Sequence, residues 1–213
     1  MLLFKETFSA MLKYTEDLWL KNVDRLSDID SRFGDGDHGI TIGKIARAIN
    51  ECLENWGDES IREIIVCLSE KILGISGGSA GPLYGTLFGG LALPLSDEKE
   101  IDAELLKKML QGCYDEMTSI SKARVGDKTM MDALIPAVEA AVASTGDIPD
   151  ILSAAAKAAA QGAAATENFA SKFGRARSYG DKTIGTPDAG AISTSLLFQG
   201  LYEGLVSQQN NHV

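Results

Sequence analysis

Asp30, Asp35 and Asp37 are the residues whose type and spacing most directly suggest chemistry, in the segment Asp30-Ser-Arg-Phe-Gly-Asp-Gly-Asp-His38. One glycine separates Asp35 from Asp37. In extended chain, alternate side chains point the same way, so both carboxylates can face one point. Asp30, at the end of the preceding helical stretch, can close the set from another side. Carboxylates held together repel strongly unless a hard divalent cation neutralises them. Oxygen ligands of this kind suit magnesium or calcium, not zinc. A calcium EF-hand loop starting at Asp35 fails on spacing, because its twelfth position is Ala46 rather than an acidic residue. Three carboxylates without a full cage are typical of magnesium that also binds phosphate oxygens. The competing structural reading makes Asp37 the N-cap of a helix beginning near Gly39, with Asp35 in a turn. That accounts for one aspartate well and for three not at all. His38 is either a donor to a phosphate or a solvent-facing turn residue.

Three further segments carry weaker signals. Gly77-Gly-Ser-Ala-Gly-Pro-Leu-Tyr-Gly85 precedes a small-residue helix that Ser79 can cap, with Pro82 in its first turn. Free backbone N–H groups at such a start form an anion site, and the same segment also reads as a tight interhelical turn. No Lys-Ser or Lys-Thr follows at P-loop spacing, and no strand precedes it as a Rossmann fingerprint requires. Lys122, Arg124 and Lys128 cluster in one loop; Lys172, Arg175, Arg177 and Lys182 cluster in another. Each loop contains Gly-Asp-Lys-Thr, at 126–129 and 180–183, which reads as turn chemistry because the flanks do not match. In an acidic chain these cations suggest anion contact; the alternative is solvated surface charge.

The elements that must position these residues are helical. Apolar residues recur at three-and-four spacing over Leu3–Trp19, Thr41–Trp56, Ser60–Leu73, Leu83–Leu95, Asp102–Ile120, Met130–Ala143, Ile151–Phe169 and Ala189–Leu205. Ser60 stands as an N-cap. The pattern gives about eight antiparallel helices, no convincing strand, and an all-α fold arranged as a bundle or a closed ring. In an up-down array alternate loops fall at the same end. The polar, Gly-rich loops at 34–39, 76–82, 121–129 and 173–190 are therefore placed to build one site.

Length and charge bound the reading further. The 213 residues suffice for one domain, 1–213, with no linker-like stretch. A formal net charge of −10 disfavours a nucleic-acid backbone or an anionic membrane as partner. No apolar run approaches the length of about 20 residues that spans a bilayer. The N-terminus reaches charge too soon for a signal peptide. Cys52, Cys67 and Cys113 read as buried structural thiols in a reducing compartment, which places the protein in the cytoplasm.

Taken together, Asp30 with Gly34-Asp-Gly-Asp-His-Gly39, Gly77 to Gly85, Gly126-Asp-Lys-Thr-Met-Met-Asp132, Gly174-Arg-Ala176 and Ile184-Gly-Thr-Pro-Asp-Ala-Gly190 resemble the nucleotide-binding L subunit of dihydroxyacetone kinases, the DhaL family. The resemblance spans nearly the whole chain, in the family's order. It implies a closed barrel of eight helices with the nucleotide, ADP or ATP, at one end. It implies two magnesium ions on Asp30, Asp35 and Asp37. It places the nucleotide near His38, Gly39, Ile40 and Thr41, near Gly78, Ser79 and Ala80, and near Ser121, Met130, Arg175, Asp188, Ala189 and Gly190. It implies phosphoryl transfer to dihydroxyacetone or a related ketose held covalently by a histidine on a separate K-type subunit. No candidate for that histidine exists here, since His38 belongs to the acidic turn and His212 to the tail. The phosphoryl donor is ATP or a phosphotransferase-system protein. Departures from the family pattern are Gly78-Ser-Ala-Gly81, Ser121, Gly174-Arg-Ala-Arg-Ser-Tyr-Gly180 and Asp188-Ala-Gly190, which bear on the ketose and the partner. A ketose such as erythrulose, a nucleotide-loaded module that docks on a transcription regulator, and a purely structural helical protein are the alternatives.

Overall fold

The apolar spacing builds helices throughout. The computed structural model describes residues 1–210, and these form nine α-helices, two 3-10 helices and one short strand pair. The helices are α1 (Lys5–Lys21), α2 (Val23–Ser31), α3 (His38–Glu54), α4 (Ile61–Leu73), α5 (Ala80–Ala92), α6 (Ala103–Ile120), α7 (Met131–Ala143), α8 (Ile148–Ala165) and α9 (Ala189–Asn210). The 3-10 segments are Thr166–Asn168 and Arg175–Thr183. His212 lies outside the described residues. No helix among them is long and apolar enough to cross a membrane.

Four features differ from the sequence-based expectation. The polar stretch before Asp30 is a helix, α2, which buries only Leu26 and so lacks the broad apolar stripe that marks a helix in sequence. Leu3–Phe4 pairs antiparallel with Glu100–Ile101 instead of opening α1. Two residues per strand are too few for alternation to show. The long basic loop contains a 3-10 helix. Cys67 is exposed, whereas Cys52 and Cys113 are buried; all three are free thiols.

Sequence neighbours pack as neighbours. The contacts run from α1 to α3 and then in order through α4, α5, α6, α7 and α8 to α9, which returns to α1. Short connections between antiparallel helices favour this arrangement. α9 buries residues on several faces, among them Ala191, Thr194, Leu197, Phe198 and Leu201.

The starts of α4 and α6 are among those that carry side-chain caps. Ser60 accepts from the Glu63 N–H while the Glu63 carboxylate accepts from the Ser60 N–H, closing a capping box on α4. Asp102 accepts from the Leu105 N–H at 2.8 Å on α6. These satisfy N–H groups that a helix start otherwise leaves without partners.

α7 and α8 touch through backbone. Pro136 inside α7 has no N–H, so the Asp132 carbonyl four residues earlier has no intrahelical donor. α8 fills that position with Gly162, whose added Cβ would collide with the Asp132 oxygen and crowd Pro136 Cγ. Gly162→Ala should therefore destabilise the fold by about 1–3 kcal/mol despite its better helix propensity. Urea unfolding followed by circular dichroism measures this; a midpoint at or above wild type would refute the close-contact account.

Candidate functional site

The four Gly-rich loops meet. A cavity of about 640 Å³ is lined by Asp30, Gly34, Asp35, Asp37 and His38 from the first, Gly78, Ser79 and Ala80 from the second, Ser121, Ala123 and Lys128–Met131 from the third, and Phe173–Ala176 and Thr186–Gly190 from the fourth. The starts of α3, α5, α7 and α9 all lie on its wall.

The acidic trio stands at one end. Asp30, Asp35 and Asp37 each offer an oxygen such that all three lie within 4.8 Å of one another. Asp30 ends α2, where its carbonyl accepts from Gly34 N at 2.6 Å and turns the chain into the glycine segment. Asp30 Oδ2 is buried with no hydrogen-bond partner. A buried carboxylate oxygen without a donor is costly, and a hard cation is the partner that fits it. Arg175, from the 3-10 segment, forms an ion pair with Asp35. Gly78 lies against Asp37 with φ +42°, a conformation that suits glycine; an added Cβ would stand 3.2 Å from Asp37 Oδ1.

The capping reading of Asp37 fails in geometry. Asp37 occupies the residue before α3, yet its side chain caps no N–H, and the same holds for Ser79 before α5. Its backbone carbonyl accepts from Thr41 N, so the N–H groups of His38, Gly39 and Ile40 precede the first intrahelical bond. Two uncapped helix starts at one cavity carry partial positive charge suited to phosphate oxygens. Gly39, Ile40 and Thr41 do not line the cavity with side chains: Gly39 faces α2, Ile40 is exposed, and Thr41 is buried.

His38 is not a solvent-facing turn residue. It begins α3, half-buried, with Nε2 2.9 Å from Ser193 Oγ. Burial lowers its imidazole to about 4, against the pull of the Asp30 charge and a hydrogen bond to the Ala189 backbone, so the ring is neutral at pH 7. Asp188 caps α9 by accepting from the Ala191 N–H at 2.8 Å. Burial pushes its carboxyl up to about 7, and the charges of Asp132 and Asp30 push the same way against that hydrogen bond and Lys128.

The basic loops divide. Arg175 faces the acidic trio. Lys128 lines the cavity, but its ammonium is committed to the Thr166 carbonyl at 2.6 Å and to the Thr186 carbonyl. It is therefore a brace between loops rather than a free cation. Asp132 holds its own loop by accepting from Gly126 N at 2.6 Å and Thr129 N at 2.7 Å. Lys172 pairs with Asp127 at 2.7 Å, which ties the fourth loop to the third. Leu83, Met117, Ala123 and Met130 add an apolar lining to the cavity. Met117, Thr129, Phe173 and Tyr84 went unnoticed as lining residues in the sequence. Tyr84 lay inside the Gly77–Gly85 motif and Thr129 inside Gly126–Asp132, while Met117 and Phe173 look like ordinary core or loop positions.

Two outcomes follow for the metal-free chain. Asp30→Asn removes one of three mutually repelling charges, so its melting temperature should rise while the rise that magnesium gives to wild type disappears. Thermal shift with and without magnesium chloride reads both; an unchanged magnesium response would remove Asp30 from the ion. Asp188 has a raised folded value, so its contribution to stability is full below its unfolded value near 4. That contribution is lost as pH rises through about 7. Asp188→Asn should flatten this part of the stability curve, measured by urea titration between these limits.

Comparison with known proteins identifies the family of the chain. The DAK2 domain model matches residues 32–203. The chain is 34% identical to the L-erythrulose kinase of Pectobacterium atrosepticum, covering 89% of this chain but 33% of that protein. It is 34% identical to the PEP-dependent dihydroxyacetone kinase 2, ADP-binding subunit DhaL, of Listeria innocua, covering 93% of this chain and 94% of that one. The dihydroxyacetone kinase from C. freundii, crystallised with AMP-PNP and Mg2+, superposes with a TM-score of 0.72 at 25% identity, over 95% of this chain and 34% of that chain. The matched span takes in Asp35, Asp37 and all four loops of the cavity, beginning just after Asp30, and the chain belongs to the DAK2 domain family.

Proposed function

We propose that this chain, as a single DhaL-type domain over 1–213, is the nucleotide-binding subunit of a kinase acting on dihydroxyacetone or a related small ketose. The observation that carries the reading is the meeting, in one cavity, of three carboxylates, two uncapped helix starts and an apolar wall. An ion-dependent anion at one end and a flat apolar group at the other describe an adenine nucleotide. The names of the Listeria relative and of the C. freundii complex support the same ligand.

Each part of the cavity then has a task. Asp30, Asp35 and Asp37 would hold magnesium, two ions in our reading, which would supply neutralisation of phosphate charge. The N–H groups of His38, Gly39 and Ile40, and those following Ser79, receive phosphate oxygens. Thr41 supports the first turn of α3 from within. Ser121 and Met130 flank the base, and Asp188, Ala189 and Gly190 bound the opposite side. Arg175 is placed at the phosphates' open side. Phosphoryl transfer rests on positioning and charge neutralisation, which this set supplies. The ketose is held by a K-type partner subunit, and the phosphoryl group comes from ATP or from a phosphotransferase-system protein, the latter in keeping with the PEP-dependent relative. The free thiols support a cytoplasmic setting.

Isothermal titration should show ADP binding with magnesium present and none with the metal chelated. Asp35→Asn and Asp37→Asn should abolish it with the helical circular dichroism unchanged. Ketose phosphorylation should appear only after a K-type subunit is added. Absence of nucleotide affinity in magnesium-replete wild type would sink the proposal.

A further inference from the structure

Tyr84, Ser193 and Thr194 are fully buried, yet they carry three hydroxyls in an otherwise apolar packing of α1, α5 and α9. The Tyr84 hydroxyl lies 2.8 Å from Ser193 Oγ and 3.0 Å from Thr194 Oγ1. Ser193 Oγ also meets His38 Nε2 at 2.9 Å and the Gly190 carbonyl at 3.0 Å. The Trp19 indole donates to the Ser193 carbonyl at 2.9 Å, and its ring stands edge-on to Tyr84 with centroids 5.3 Å apart. One serine thus joins α1, α3, α5 and α9 at a single point beside the cavity-lining His38 and Tyr84.

Such a cluster gains little for folding. A buried hydroxyl gives up water and recovers only a modest net energy from its hydrogen bonds, so apolar residues of similar shape would pack as stably. What the cluster does supply is direction. His38 is the first residue of α3 and is bonded directly to Asp37. The Gly190 carbonyl belongs to the first turn of α9, next to Ala189 on the cavity wall. The Gly190 carbonyl can only accept, while the phenol and the imidazole each donate or accept. The Ser193 hydroxyl is the group that meets His38, the Tyr84 phenol and the Gly190 carbonyl together, so removing it takes the side-chain partner from His38 Nε2 and loosens the tie of His38 to α5 and α9.

We infer that Tyr84 and Ser193 are positioning residues for the magnesium–nucleotide site, clamping His38 so that the Asp37 carboxylate and the free N–H groups at the start of α3 keep one orientation. The inference rests on the function proposed above. The Tyr84 ring is among the cavity-lining residues, but its hydroxyl is committed to Ser193 and Thr194, so removing that oxygen alone acts through the Ser193–His38 contact.

The test is calorimetric titration of ADP at saturating magnesium into wild type, Ser193→Ala, Tyr84→Phe and the double variant, with thermal melting alongside. Ser193→Ala should weaken binding roughly tenfold, as loss of an orienting partner around a metal site does. Tyr84→Phe should weaken it less, and the double variant should be no worse than Ser193→Ala alone, because both act through one contact. A purely structural role would lower the melting temperature and leave affinity at the wild-type value, which overturns the inference. If Ser193→Ala does not fold, Tyr84→Phe decides alone, since it removes one oxygen and keeps the ring; unchanged affinity there is equally fatal. Wild type without nucleotide affinity would overturn both the functional proposal and this one, whereas wild-type binding matched by the variants overturns this one only.

Discussion

Mutual repulsion among three carboxylates is the constraint around which the open end of this molecule is organised. Asp30 is fixed by the end of α2, Asp35 by the glycine turn, and Asp37 by the start of α3. No single element could hold them, because residues that share one helix turn diverge and residues in one loop relax apart. Joining a helix end, a turn and a helix start makes the crowding permanent, and the orphaned Asp30 oxygen is its residue.

The rest of the fold makes that crowding tolerable. α3, α5, α7 and α9 all begin at the cavity, so the positive ends of four helices lie on the wall of the cavity that holds the negative cluster. The loops between them are braced from beneath. Lys128 spans to the backbone at Thr166 and Thr186, Asp132 closes the loop before α7, and Asp127 ties that loop to Lys172. These polar bonds, buried at Lys128 and exposed at Lys172, keep Gly-rich backbone in place, as apolar packing alone would not.

Much of this could be read from residue order. The alternation of apolar helices with Gly-rich loops gave the all-α fold and put four loops at one end, and Ser60 announced its cap. What the sequence hid has physical causes. α2 buries one leucine, so its periodicity is faint. Asp37 and Ser79 are good capping types at capping positions, and only coordinates reveal that their side chains turn elsewhere. Lys128 looked like one cation in a basic loop, because burial of a lysine by two distant carbonyls leaves no local signature. Ser193 and Thr194 looked like incidental polar residues in an apolar helix, since their partners lie more than a hundred residues away.

The pairing of Arg175 with Asp35 makes the basic loop a resident counterion. A divalent ion arriving at the trio meets a site already part-neutralised, so entry is an exchange of positive charge and not a simple addition. The guanidinium released is flexible, long and close, with Tyr179 of the same segment resting on Phe33 of the acidic turn. The loop therefore senses the charge state of the turn directly, and ionic strength should matter less to cation entry than three bare carboxylates would suggest, because salt weakens the outgoing pair as well as the incoming one.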